Sequence, residues 1–394
     1  MSWVRLGVPS HPAPMVYHNL FGRMPGKRVR DVRACLRANA LALELFDKHV
    51  TLPSATNVHY SPETVYTGLM QLSTRGGYAE STMDDLRLRS GVDAPCGADF
   101  LYRMKKVGYE GWRSRLTDVN DAVLSVASKL GLLQHPVVCA IDYTKVPYYG
   151  RFNRYVVRSK HEEGTDHFYE YATISIVQDG LRLCVYSMPV TLLDVKADVV
   201  RELVEQAGKR GVRVKLLLLD RAFFTTECIN LLRGMALRFI MPCVCNERVQ
   251  AAVDSLGREG RIPFSIHDNN SKKEAPFTMV VCWSEKKRRF IPFATNVEGG
   301  ARKLVEAVPK EYRRRWGIET SFRKVKEVYG RTLSPSPAIR LAYFMTAMVL
   351  YNLWQVVNNL LLDSAGHQEK RRSKYRVTMP FMVTVLGAHL GGRV

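Results

Sequence analysis

The stretch VKLLLLD, residues 214–220, constrains the fold more than any other. Four consecutive leucines leave no polar face, so a strand here must be covered on both sides, as in the middle of a parallel or mixed sheet with helices packed on it. The neighbouring sequence agrees. HPVVCAIDYTKVPYYG predicts a strand running out into a polar loop, and YEYATISIVQDG with LRLCVYSMPV predicts a hairpin around Asp179-Gly180. DVKADVVRELVEQAGKRG has the apolar period of an amphipathic helix, and TTECINLLRGM and LRFIMPC add a further helix and strand. The expected core is an α/β mixed sheet flanked by helices.

Around this core the pattern changes three times. Residues 1–134 read as helical, with DVRACLRANALALELFDKHV and ETVYTGLMQLSTRGG as the main segments. STMDDLRLRSG and GADFLYRMKKVG, separated by a Gly/Pro turn, fit either a helix-turn-helix that reads DNA or a plain helical bundle. Residues 135–245 form the first part of the core. Residues 246–299 interrupt it with polar sequence and two predicted strands, FTMVVCW and RRFIPFATN, so that a β-rich insertion is expected there. Helix resumes over 300–362, and 363–394 is expected to be a basic tail beginning with KRRSKYR.

The 394 residues carry 58 Lys and Arg against 37 Asp and Glu, a net charge of +21 that points to a polyanionic partner, most simply nucleic acid. The N-terminal stretch has no apolar signal-like run, which implies a cytoplasmic, nucleoid-associated protein. The eight cysteines are scattered without paired metal-site spacing and read as reduced core residues. LAYFMTAMVLYNLWQVVNNLLL, residues 341–362, has the length of a membrane span, but Asn352, Gln355 and Asn359 share one face and favour a buried helix. No phosphate-binding GxxxxGK[ST] loop occurs, so neither a membrane nor ATP is expected as a partner.

Three carboxylates stand out. Asp142 lies where the first core strand runs out, and Asp220 ends the leucine strand; both sites suit a ligand gathered at strand ends, and both suit an ordinary turn. EYRRRWGIETSFRKVKE supplies Glu319 inside a cationic segment: residues 302–331 hold ten Lys or Arg and four Glu. At about 100° per residue, Tyr312, Arg315, Glu319 and Lys326 form one helical stripe, with Ile318, Phe322, Val325 and Tyr329 as an adjoining apolar one. Glu319 is therefore either an ion-pair partner of Arg315 or Arg323, or one of three acids that repel unless a cation joins them. Mg²⁺ or Mn²⁺ suits such oxygen donors, and two such ions serve phosphodiester chemistry. Arg315 and Lys326 would then bind phosphates.

The spacing Y-(2)-R-(3)-E-(6)-K, met by Tyr312, Arg315, Glu319 and Lys326, resembles the signature of the cut-and-paste branch of DDE insertion-sequence transposases, archaeal members included. AIDYTKVPYYG around Asp142 and LLLLDRAFF around Asp220 resemble the first and second acidic motifs of that family. The resemblance implies a ribonuclease H-like core with Asp142, Asp220 and Glu319 as catalytic, metal-binding residues for two Mg²⁺ or Mn²⁺ ions. It also implies DNA contacts by Tyr312, Arg315, Arg323 and Lys326, and a dimer in the synaptic complex. The implied activity is cleavage at transposon ends and strand transfer into target DNA. A related nuclease or resolvase, and a transposase-derived DNA-binding protein, are the competing readings.

Two other features have plainer explanations. His161 and His167 in HEEGTDH lack the spacing of a metal pair and read as a polar loop, and Trp283 reads as strand packing, with base stacking as the alternative.

Overall fold

The computed structural model describes residues 26–52, 59–90, 93–268, 272–364 and 377–391. The chain divides into two compact units, residues 1–132 with 321–394, and residues 133–320.

The N-terminal part of the first unit is helical: α1 (Gly26–His49), α2 (Pro62–Arg75), α3 (Ala79–Ser90), α4 (Gly97–Val107) and α5 (Tyr109–Lys129). The boundaries of α2 follow from local chemistry. Ser61 accepts from the Thr64 N–H, Pro62 occupies the first turn, and Gly76 closes the helix with φ of 60°. Gly97 is required by proximity, since a Cβ there would lie 2.5 Å from the backbone nitrogen of Glu80.

The second unit is built on one nine-stranded sheet. Its strands are β1 (Val137–Pro147), β2 (Val157–Glu162), β3 (Thr165–Ile176), β4 (Cys184–Val190), β5 (Val214–Leu219), β6 (Phe239–Pro242), β7 (Gly260–His267), β8 (Glu274–Ser284) and β9 (Arg289–Thr295). They lie in the order β2-β3-β1-β5-β6-β9-β8-β7, with β4 beside β2 on the outer edge of β3. β1 is antiparallel to β3 but parallel to β5, and β5 is parallel to β6. This is the mixed sheet expected, and the buried leucines of β5 sit at its centre.

Helices α6 (Lys196–Lys209), α7 (Thr226–Gly234), α8 (Glu247–Leu256) and α9 (Ala301–Tyr312) flank the sheet. The leucine-rich strand is thus enclosed as its composition requires.

Residues 246–299 differ from expectation in detail. They contain three strands rather than two, preceded by α8, and β9 pairs with β6, so these strands extend the core sheet. Asn246 caps α8 through the Val249 N–H, and Gly257 ends it with φ of 59°. β7 escaped notice because Pro263 interrupts it; as the terminal strand of the sheet it tolerates a residue without an N–H.

A second difference concerns the cationic segment, which is not one continuous α-helix. α9 ends at Tyr312, Arg313–Arg315 form a 3₁₀ turn, and α10 (Trp316–Glu327) follows. The tighter turn breaks the even stripe expected for Tyr312, Arg315, Glu319 and Lys326.

The first unit is completed by α11 (Pro337–Ser364) and α12 (Met379–Gly391). α11 contains the whole apolar stretch, packs on α5, α1, α2 and α4, and buries Asn352, Gln355 and Asn358. Among the described residues no helix is long and apolar enough to cross a membrane. The expected basic tail includes α12, which buries Met382, Val385, Leu386 and Leu390; residues 365–376 of it lie outside the described residues.

Candidate active site

β1 and β5 run side by side in the same direction, with Ile141 opposite Leu219. The next residue on each is an aspartate, so Asp142 and Asp220 stand at the same level; Asp220 follows the end of β5, whereas Asp142 lies within β1, which runs on to Pro147 rather than ending at Asp142 as expected. Asp220 begins the 3₁₀ turn Arg221–Phe223, yet its side chain makes no capping hydrogen bond. The turn therefore leaves its carboxylate unused.

The third carboxylate comes from the first turn of α10, and a single arginine joins it to the first. Arg315 is 8% exposed. Its Nη1 donates to Asp142 Oδ2 at 2.8 Å and its Nη2 donates to Glu319 Oε1 at 2.5 Å. Its Nε is buried without a hydrogen-bond partner among the described residues. The Asp142 side chain is 16% exposed and that of Glu319 52%, so the bridge runs from the sheet interior to the surface. Asp142 Oδ1 also accepts from the Tyr143 N–H at 2.9 Å.

Burial pushes the Asp142 carboxyl up to about 6. Arg315 and the Tyr143 N–H act against this rise, and the nearby charges of Asp220 and Glu319 add to it. Burial also opposes the charge on Arg315, but Tyr312 and the carboxylates of Asp142, Asp220 and Glu319 outweigh it and hold the guanidinium protonated. Tyr312 closes this side of the site. Its ring lies 5.7 Å from the Arg315 guanidinium and 5.2 Å from that of Phe293, and burial lifts its hydroxyl to about 12.

Asp142, Asp220, Glu319, Arg315 and Tyr312 are thus gathered within the second unit. Arg323 and Lys326 lie further along α10, in the part of the chain assigned to the first unit; both are exposed and outside any ion pair among the described residues. Ile318, Phe322 and Val325 are buried, as an apolar stripe requires.

The oxygen donors suit a hard divalent ion. Buried Asp142, raised by its acidic neighbours, is stabilised as an anion by any cation placed among them. In this arrangement that cation is the guanidinium of Arg315. Among the described residues no three His, Cys, Asp or Glu side chains are grouped as a ready metal site, and two of the acids are bridged by the arginine.

Sequence reasoning missed a second group nearby. Glu170 stands opposite Lys145 in the β1-β3 ladder; burial raises its carboxyl against the pull of Lys145 and Lys196. Tyr143 stacks on Phe223, with ring centroids 5.0 Å apart, and ties β1 to the turn after Asp220. The signal for Glu170 was a single acid within the apolar strand YEYATISI. His161 is exposed near the end of β2, and His167, on β3, contacts Gly150 O at 3.2 Å, so the segment read as a polar loop is two strand ends and the turn between them. Trp283 is 41% exposed and packs edge-on against Phe290.

Residues 134–353, more than half of the chain, match the family model described as transposase DDE domain. No curated protein matches the chain. Among solved structures, the cryo-EM structure of the piggyBac transposase synaptic complex with hairpin DNA is similar, with a TM-score of 0.54 at 13% identity. The match covers 91% of this chain and 77% of that one, and at this identity it speaks for the fold.

Proposed function

Given that the chain belongs to the transposase DDE domain family, we propose that it cuts DNA at the ends of an insertion sequence and joins the freed 3′ ends to target DNA. Asp142, Asp220 and Glu319 are the carboxylates we assign to two Mg²⁺ or Mn²⁺ ions. The ions, when bound, supply the Lewis acidity that activates a water or 3′-hydroxyl and stabilises the leaving oxygen. The observation that carries the reading is that one guanidinium bridges acids from β1 and α10 while Asp220, at the end of the neighbouring strand β5, acts on it through its charge.

The protein's own groups divide the remaining work. Arg315 holds Asp142 and Glu319 close together and works against the rise of the Asp142 carboxyl while no other cation shares them. Its fork geometry and unpartnered Nε also suit it to a DNA phosphate. Tyr312 shields the buried side of the site from water, and exposed Arg323 and Lys326 offer charge to the flanking backbone. The helical residues 1–134 are the proposed end-binding region, and the signature spacing supports a proposed place in the cut-and-paste branch. Its partners are terminal repeats and target DNA, engaged as a dimer at the nucleoid.

The test offers purified protein a DNA carrying both element ends, with Mg²⁺ or Mn²⁺. Asp142→Asn, Asp220→Asn and Glu319→Gln should each lower cleavage by at least about 100-fold, since even residues that only support metal ligands are worth about 10- to 100-fold. Cleavage retained in all three variants would sink the assignment. Cutting without joining would favour a nuclease, and binding without cutting a DNA-binding relative.

A further inference from the structure

The segment RFNRYVVRSK, residues 151–160, holds four cations, two aromatic rings and no acid. Residues 151–156 belong to the loop between β1 and β2, residues 157–160 open β2, and the loop has a built frame. Tyr148 is buried against Tyr169, with ring centroids 5.2 Å apart; its N–H donates to His167 O at 2.9 Å, and its carbonyl accepts from Thr165 Oγ1 at 2.7 Å. Asn153 donates to the Tyr169 hydroxyl at 3.2 Å and accepts from the Tyr155 N–H at 3.0 Å. A Cβ at Gly150 would lie 2.3 Å from the Tyr148 hydroxyl, so the backbone passes this ring closely.

On this frame two rings face outward. Tyr149 is 69% exposed, yet its hydroxyl is tied to Glu163 O at 2.8 Å, which fixes the ring. Phe152 is 44% exposed, with the Arg158 guanidinium 5.2 Å from its centroid and the His167 ring 5.7 Å away. Arg154 lies over Tyr155 at 4.8 Å. Among the described residues, Arg151, Arg154 and Arg158 pair with no carboxylate.

Oriented, exposed rings expend apolar surface on water, and crowded cations without counter-charges repel one another. One partner relieves both costs: a polyanion with flat apolar faces. A paired duplex shows phosphates but hides its base faces; unpaired nucleotides show both. We propose that the loop from Tyr149 and the start of β2 as far as Arg158 bind unpaired DNA, with bases stacked on Tyr149 and Phe152 and phosphates held by Arg151, Arg154 and Arg158. The inference rests on the transposase reading for its biological setting. The loop starts after Pro147, five residues or roughly 17 Å along β1 from Asp142, so it meets strands extending from the proposed site.

The experiment uses the full chain in EDTA, which separates binding from cleavage, and a duplex with a single-stranded overhang containing 2-aminopurine. Wild type should bind the overhang duplex more tightly than a blunt one and quench the probe. Tyr149→Leu with Phe152→Leu should weaken overhang binding by about 100-fold, taking about tenfold per stacked base, and abolish the quench. Tyr149→Phe, which keeps the ring, should retain it. Arg151→Ala with Arg154→Ala should lower the salt slope by about 1.4, at about 0.7 per phosphate contact on a single strand.

Unchanged affinity and quench in a folded Tyr149→Leu, Phe152→Leu variant, with melting as the control, would overturn the proposal. So would an equal loss on blunt and overhang DNA, which would leave only phosphate contact. Overhang binding by a protein that cleaves nothing would sink the catalytic reading alone; cleavage without stacking would sink this one alone.

Discussion

The acids around Arg315 and the amides along α11 are both polar groups held in or beside a core, and they are satisfied to very different degrees. Along α11, Asn352 donates to Asn120 Oδ1 at 2.7 Å, Gln355 to the Tyr351 hydroxyl at 3.0 Å, and Tyr351 meets Ser321 Oγ at 2.8 Å. Asn358 donates to Trp354 O and Val377 O and accepts from the Val377 N–H at 2.9 Å. Each of these three amides is neutral and has a partner. Around Arg315 the groups are charged, one guanidinium nitrogen has no partner, Asp220 keeps an unused carboxylate, and Asp142 is raised to about 6. A closed network stabilises the fold, whereas an open one retains capacity for a ligand.

The largest test of that contrast removes a member of the closed network. Asn358→Leu strips the Val377 N–H of its acceptor inside the core and should cost about 3 kcal/mol in urea unfolding, the sum of lost hydrogen bonds and one stranded donor. A loss below about 1 kcal/mol would mean that water or a neighbour replaces the amide, and the contrast would weaken.

Arg315→Ala addresses the open network. It removes the cation between Asp142 and half-exposed Glu319, and solvent screening of Glu319 limits the loss to about 1–2 kcal/mol at pH 8. The sign of its pH dependence follows from linkage. Without Arg315, the folded-state value for Asp142 rises beyond about 6, further above its unfolded value. Such a group contributes stability that is complete below the unfolded value and lost as pH rises through the folded one. The deficit relative to wild type should therefore be greatest near pH 8 and shrink toward pH 5, as read by melting temperature. A pH-independent deficit would show that Arg315 acts through packing.

The two regions also differ in how far they were legible. Asn352 and Gln355 announced themselves as polar positions on one face of an apolar helix, although their partners Asn120 and Tyr351 did not. For Asp220, the leucine run of β5 required a covered central strand, and the position at its end follows from that; Asp142 was read at a strand end but lies within β1, which pairs on to Pro147. Burial of Arg315 was not legible. One of its partners, Asp142, lies 173 residues earlier in the chain, and the 3₁₀ turn that sets its direction occurs in RRR, which contains no breaker. The ion pair between Arg315 and Glu319, weighed as an alternative to a catalytic role for Glu319, is present; the same arginine also reaches Asp142. β7 was hidden by Pro263, while α8 carried readable caps at Asn246 and Gly257.

The smallest expected effect on stability is also the sharpest test of the contrast. The Asp220 carboxylate accepts no hydrogen bond in its turn, and its charge adds to the rise at Asp142. Replacing it by the isosteric amide removes both a repulsion from Asp142 and an attraction to Arg315, which oppose each other, and breaks no hydrogen bond in the turn. Asp220→Asn should therefore change unfolding free energy by no more than about 0.5 kcal/mol while cleavage collapses. Stability and function are then set by different side chains within a few residues of each other. A loss of 2 kcal/mol or more, measured in urea without divalent ions, would make Asp220 a structural group, and the open network would be closed after all.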